Sequence, residues 1–258
     1  MDFTLKTYYS LLNTLLRQGF SFQTFSDFIE FPHSNKVIIL RHDIDRSPKN
    51  ALKIARIENK LKISASYYFR IKPQSFNENI IKAISELGHE IGYHYEELSI
   101  TKGDTEKAYY LFLNNLDKFR KIYPVKTICM HGSPMSKYDS RIIWKKYDYK
   151  KLGIIGEPYF DIDFDKVFYL TDTGRMWDGW KYSIRDKLPQ QEIWILQGLT
   201  FHRTYDIISA INSEKIPDIV LITTHPQRWT NNFFQWLFEL FWQYLKNIIK
   251  KIKIDLSI

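Results

Sequence analysis

Ile39-Leu40-Arg41-His42-Asp43-Ile44-Asp45 is the stretch on which the fold class turns. An apolar run begun at Val37 stops at a histidine, two aspartates and Arg46, and Ser47-Pro48 then turns the chain into a helical pattern. A buried strand delivers charged groups to its C-terminal tip in this way, and in parallel α/β folds active sites are built at that tip. Two carboxylates so close are costly to bury unless a cation or a proton is shared between them. The ordinary alternative is a helix N-cap with a salt bridge to Arg41 or Arg46. It loses ground because three further strand-like runs close the same way, at His89 to His94, at His131 and at His225.

Apolar periodicity predicts helices over 6–18, 50–60, 79–87, 104–123, 204–212 and 232–252. Gly88 reads as a C-terminal cap, and Pro124 as the stop of the long middle helix. Strands are predicted over 37–41, 65–71, 90–95, 127–131 and 219–223, with weaker pieces at 152–155 and 167–170. Strands alternating with helices imply parallel pairing through right-handed crossovers. The expectation is an α/β, (β/α) barrel-like fold: an incomplete or distorted seven-stranded parallel barrel with its active site at the C-terminal strand ends. It should be one domain over 1–258, with a helical N-terminal extension (1–36) and a C-terminal amphipathic helix (230–258).

Composition narrows the function classes. With 258 residues, 44% of them apolar, the chain can bury a substantial core. Its 37 basic and 29 acidic residues give a net charge of +8, which admits acidic partners or surfaces. The basic residues are scattered except near the end and no nucleic-acid motif occurs, so a nucleic-acid partner is not expected. Cys129, the one cysteine, sits in the apolar run Thr127-Ile128-Cys129-Met130 and reads as a buried small hydrophobe. Met1-Asp2-Phe3 lacks the basic start of a signal peptide, so none is expected, and no apolar stretch is long enough to span a bilayer. The expected location is cytoplasmic.

The second histidine segment is Gly88-His89-Glu90-Ile91-Gly92-Tyr93-His94-Tyr95-Glu96-Glu97. Strand residues two apart share a face, so His94 points with Glu90 and Glu96 while His89 points the other way. Met130-His131-Gly132-Ser133-Pro134 and Thr223-Thr224-His225-Pro226 complete the set. Any one histidine could be a core residue bonded to a carbonyl. Four polar strand ends at one rim of a parallel sheet point to a shared site, and Asp and His suit zinc or another divalent transition metal.

The order of these segments resembles the polysaccharide deacetylases, carbohydrate esterases that remove acetyl groups from sugars, from about Val37 to Trp229. The aspartate pair is similar to the family's first motif, which implies Asp43 as general base and Asp45 as a metal ligand. Gly88 to Gly92 is similar to the lead-in of its second motif, with His94 as a metal ligand. The family's second histidine, four positions on, is replaced by Leu98. The third motif corresponds to His131 to Pro134 without its arginine. Asp172 to Trp180 falls where the family has an Asp/Trp motif, and Thr223-Thr224-His225 matches the last.

The resemblance implies a metal-dependent hydrolase acting on carbon–nitrogen (non-peptide) or ester bonds. It would remove an acetyl or similar acyl group from a sugar or polysaccharide precursor, with zinc the first candidate for the metal. His225 would serve as the acid for the leaving group. For the missing ligand His131 is the first choice, Glu97 or Glu96 the second and His42 the third. Trp177, Trp180 and Arg228 are candidate substrate contacts, although aromatic residues near such segments are more often packing. The alternative is a carbohydrate-binding or scaffold protein with a degenerate site. In the last helix Phe234, Leu237, Phe238, Phe241, Leu245, Ile248 and Ile252 recur at helical spacing, followed by Lys246, Lys250, Lys251 and Lys253. Such a face ordinarily packs on its own domain; it also fits peripheral contact with an anionic membrane surface.

Overall fold

The computed structural model of the chain describes residues 1–33, 35–133, 136–182 and 187–255. Seven parallel strands form one curled sheet: β1 Ser21–Gln23, β2 Val37–Ile44, β3 Ser66–Phe69, β4 Glu90–Tyr95, β5 Ile128–Met130, β6 Phe168–Thr171 and β7 Ile219–Thr224. The order is β5-β4-β3-β2-β7-β6, with β1 beside the first residues of β2. Helices cover the outer face, giving an incomplete (β/α) barrel.

β2 is the central strand because its sequence suits burial on both sides. Its eight residues are all buried, paired with β1 and β3 along one edge and with β7 along the other. Val37 to Leu40 is the near-continuous apolar run that such a position selects. Beyond it the period of two sorts the polar residues. Arg41 and Asp43 meet on the inner face, and His42 turns outward to Glu58 on the helix Pro48–Lys60.

Two predicted features differ from what is observed. The N-terminal extension is more than helical and is integral to the fold: the helix Leu5–Arg17 buries Tyr8, Leu11, Leu12 and Leu15 in the main core, and β1 joins the sheet. A three-residue strand is too short to show periodicity, and pairing with β2 is what creates it. No strand forms at 152–155: a 3₁₀ turn, Tyr149–Leu152, ends there at Gly153 with φ +71°, and Ile154 and Ile155 are irregular. Only a single bridge, Thr127 to Gly156, runs beside β5 there. Among the described residues no strand joins β5 to β6, so the barrel stays open. The buried Glu157 carboxylate accepts the edge N–H of Met130 at 3.0 Å, a bond the absent strand would otherwise supply.

The two glycines of Gly88-His89-Glu90-Ile91-Gly92 have separate reasons. Gly88 follows the helix Glu78–Glu86 at φ +87°, a left-handed cap that side chains resist. At Gly92 a Cβ would meet the Tyr68 ring at 2.3 Å. Its absence lets Tyr68 lie across the barrel interior, where its hydroxyl bonds Thr127 at 2.9 Å.

Candidate active site

The sheet brings its polar ends to one rim. Asp43 lies within β2 and Asp45 just past it; His94 is on β4, His131 follows β5, Asp172 follows β6 and His225 follows β7. His94 stands opposite Cys129 in the β4–β5 register, and the His131 N–H extends that ladder to Tyr95 O at 2.8 Å. That pairing puts two imidazoles side by side although they are 37 residues apart.

The possible metal ligands cluster tightly. His131 Nδ1 is 3.3 Å from His94 Nε2 and 3.1 Å from Asp45 Oδ1, and the remaining side of the triangle is 3.8 Å. Ligand atoms around a tetrahedral zinc stand about 3.3 Å apart. His94 Nδ1 is engaged by the Cys129 carbonyl at 2.9 Å, which leaves Nε2 to face the cluster. Asp45 Oδ1 is buried, and beyond its 3.1 Å ion-pair contact with His131 no donor satisfies it. A buried carboxylate oxygen facing two imidazole nitrogens fits a divalent cation. Burial works to raise the Asp45 pKa, but His131, His225 and His94 around it hold it well below the usual carboxylate range.

A second grouping, Asp43, His94 and Cys129, is close enough to share an ion. It suits one less well, because Arg41 already holds both Asp43 oxygens, through Nε at 2.8 Å and Nη2 at 2.5 Å. The salt bridge to Arg41, the ordinary reading of this segment, thus coexists with the site. Burial would push the Asp43 carboxyl up; Arg41 and His94 beside it bring it down to about 2. Asp43 is therefore ionised at neutral pH, with Oδ2 3.8 Å from His94 Nε2.

Across the cavity, His225 and Asp172 form a dyad. His225 Nδ1 bonds Asp172 Oδ1 at 2.6 Å, and its backbone N–H bonds Oδ2 at 3.0 Å. Trp229 Nε1 donates to the same Oδ2 at 2.7 Å, and Arg228 Nη1 donates to both the carbonyl and the carboxylate of Asp172. Burial opposes ionising Asp172, but Arg228 and His225 keep its pKa low. The imidazole is held by Nδ1, which leaves Nε2 for chemistry. Asp43, Asp45, His94, His131 and His225 together line a cavity of about 80 Å³. His131 and Asp45 also border a wider cleft of about 360 Å³.

Several assignments change. Trp177 is 3% exposed, donates to Thr204 and packs beside Phe3 and Trp229, so it is core and not a substrate contact. The Trp180 side chain and Pro134 lie outside the described residues. Arg228 borders the cavity, but its bonds to Asp172 make it a support for His225. Glu96 is held by Arg70 at 2.7 Å, and Leu98 is buried in a small hydrophobic cluster. His42 and His89 lie on the outer face of the sheet, against Glu58 and the Ala55 carbonyl. Asp172, which the sequence does not single out, joins the candidate site through His225. Its one signal was its position in the Asp/Trp segment after a short strand.

Glu97, the other second-choice ligand, points away from the cluster to Tyr93 and Asn115. Burial outweighs these donors and pushes its carboxyl up to about 7. Its stabilisation is complete below the unfolded value of 4.5 and is lost as pH rises through about 7. Relative to Glu97→Gln, the wild type should lose stability of order 3 kcal/mol between pH 5 and pH 8. Urea unfolding at the two pH values checks this; a constant difference between the proteins would show that Glu97 stays ionised.

No protein-family model and no curated protein matches the sequence. Among solved structures the chain is similar to the Streptococcus pyogenes deacetylase PplD in complex with acetate. That likeness has 13% identity and a TM-score of 0.44, over 56% of this chain and 70% of that one. It is also similar to wild-type BA3943, a CE4 family pseudoenzyme from Bacillus anthracis, at 12% identity and a TM-score of 0.42, over 82% of this chain and 61% of that one. A BA3943 mutant gives 13% and 0.42, over 82% and 63%. The chain thus spans less than two thirds of the length of either pseudoenzyme chain.

Proposed function

We propose that the protein is a metal-dependent hydrolase that removes an acetyl or similar acyl group from a sugar. The observation that carries the reading is the Asp45–His94–His131 triangle, at ligand spacing beside an ionised Asp43 and opposite the His225–Asp172 dyad. The choice of a sugar comes from the motif resemblance alone.

Asp45, His94 and His131 would hold the ion. A bound divalent cation would supply Lewis-acid polarisation of the acyl carbonyl and acidify the attacking water, which a base as weak as Asp43 requires. In the reaction the water oxygen forms a bond to the acyl carbon and its proton passes to Asp43. Arg41 keeps that carboxylate oriented and charged until then. The carbon–nitrogen or carbon–oxygen bond breaks as His225 Nε2 gives a proton to the departing atom. Asp172, itself fixed by Trp229 and Arg228, holds the ring in place through Nδ1.

Elemental mass spectrometry of the purified wild type, Asp45→Ala and His131→Ala proteins tests the reading. Near-stoichiometric zinc or another transition metal is expected in the wild type, and its loss in both variants. Loss with Asp45→Ala alone would remove His131 from the ligand set. A wild type that stays metal-free after incubation with zinc would favour the carbohydrate-binding or scaffold reading, to which the packed Leu98 also lends weight.

A further inference from the structure

The helix Phe233–Asp255 lies over the rim of the site with its amphipathic faces reversed. The stripe that holds it to the protein is polar. Glu239 pairs with Arg46 at 2.5 Å, Asn247 Nδ2 donates to the Gly174 carbonyl at 2.9 Å, and Gln243 donates to Asn247 at 2.8 Å. Arg175 donates to the Trp236 carbonyl at 2.9 Å, its guanidinium 4.6 Å from the centre of the Trp236 ring. The apolar face points to solvent. Phe234 is 80% exposed, Phe238 65% and Phe241 62%, and eleven large apolar side chains among this helix's described residues are exposed. Single exposed apolar residues are ordinary; a continuous row marks an interaction surface.

Charge and position indicate what covers it. No described helix is long and apolar enough to cross a membrane, and a helix of 23 residues, about 34 Å long, can instead lie along one. The aromatic and aliphatic row leads into Lys246, Lys250, Lys251 and Lys253 on a chain of net charge +8. Lys246 Nζ sits 5.8 Å from the centre of the Trp242 ring, and Lys251 is exposed. An apolar, aromatic-rich face bordered by lysines is the composition that binds in the plane of an anionic bilayer. We propose that the outward face of this helix is a docking surface for an anionic lipid bilayer. The inner flank of the helix, through Gln243, Lys246 and Lys250, forms one wall of the cleft that reaches Asp45 and His131. The same helix thus carries both the docking face and a wall of the cleft.

Flotation of the full-length protein with vesicles of equimolar phosphatidylglycerol and phosphatidylcholine tests this without reference to turnover. The wild type should float with these vesicles and much less with phosphatidylcholine alone. The triple substitution Phe234→Asn, Phe238→Asn, Phe241→Asn should reduce binding by more than about tenfold. Its melting temperature and metal content should be unchanged, because these side chains touch neither the core nor the site. The pair Lys251→Glu, Lys253→Glu should weaken only the phosphatidylglycerol-dependent part. Absence of wild-type binding, or equal binding by the triple variant, would overturn the proposal. So would a dimer in solution that the triple substitution dissociates, since a second copy would then be the occupant. Metal content of the same preparations separates failure of docking from failure of the hydrolase reading.

Discussion

Asp43→Asn is expected to lower hydrolysis of an acetylated sugar or a simple acetate ester by roughly 10² to 10⁴-fold, the range a positioned general base contributes. The metal should remain, because Asp43 is outside the Asp45–His94–His131 triangle and its oxygens are turned to Arg41. Asparagine preserves the shape and one acceptor but cannot take a proton. It also leaves Arg41, 1% exposed, without its counter-charge, and breaking a buried pair from one side destabilises by about 3–5 kcal/mol. Turnover is therefore to be compared at a temperature where both proteins are folded, with metal content measured on the same samples. A folded, metal-loaded variant that retains wild-type turnover would remove Asp43 from the mechanism.

The largest loss of stability is expected from Glu58→Ala. Glu58 is fully buried between the sheet and the helix Pro48–Lys60, and it accepts from the hydroxyls of Tyr8 and Tyr67. His42 Nε2 stands 2.8 Å from the same carboxylate, and His42 Nδ1 is bonded to Thr224 on the neighbouring strand at 2.7 Å. Alanine leaves two buried hydroxyl donors and the His42 ring facing a void, a loss of about 3–5 kcal/mol. For a chain of this size that lowers the melting temperature by roughly 10 °C. Glu58→Gln, which keeps one acceptor oxygen, should fall between the two. The pH dependence has a definite sign. Burial opposes ionisation, yet His42 and His89 bring the Glu58 carboxyl down to about 2 from 4.5. Its contribution is thus complete above 4.5 and disappears as pH falls toward 2. The gap between wild type and Glu58→Ala should narrow over that interval in thermal melts. A gap of under about 1 kcal/mol at neutral pH would mean that the cluster relaxes around the lost carboxylate.

This outer cluster bears on the site because His42 lies between Arg41 and Asp43. On one strand, alternate side chains are clamped on opposite faces: Arg41 and Asp43 to each other inside, and His42 to Glu58 and Thr224 outside. The rotation of the strand about its axis, and with it the aim of Asp43 and Asp45, is held from both sides.

Local sequence determined the parts of this protein that depend on period and on end signals. The apolar run Val37 to Leu40 requires a strand buried on both faces, and the alternation beyond it separates His42 from Arg41 and Asp43. Asp104 caps its helix, and Gly88 supplies the left-handed turn after Glu86. The sequence also placed His94, His131 and His225 at strand ends, which in a parallel sheet lie at one rim. Tertiary structure alone decided which of them meet. Asp172 finds His225 only because β6 and β7 are neighbours in register, and His131 reaches His94 because β5 pairs beside β4. The same holds for Trp177, whose partner Thr204 stands 27 residues away, and for the last helix. Periodicity establishes that a helix has two faces. Which one turns inward depends on the partners awaiting it, here Arg46, Arg175 and the Gly174 carbonyl, whose buried hydrogen-bonding groups select the polar stripe and leave the aromatic one outside.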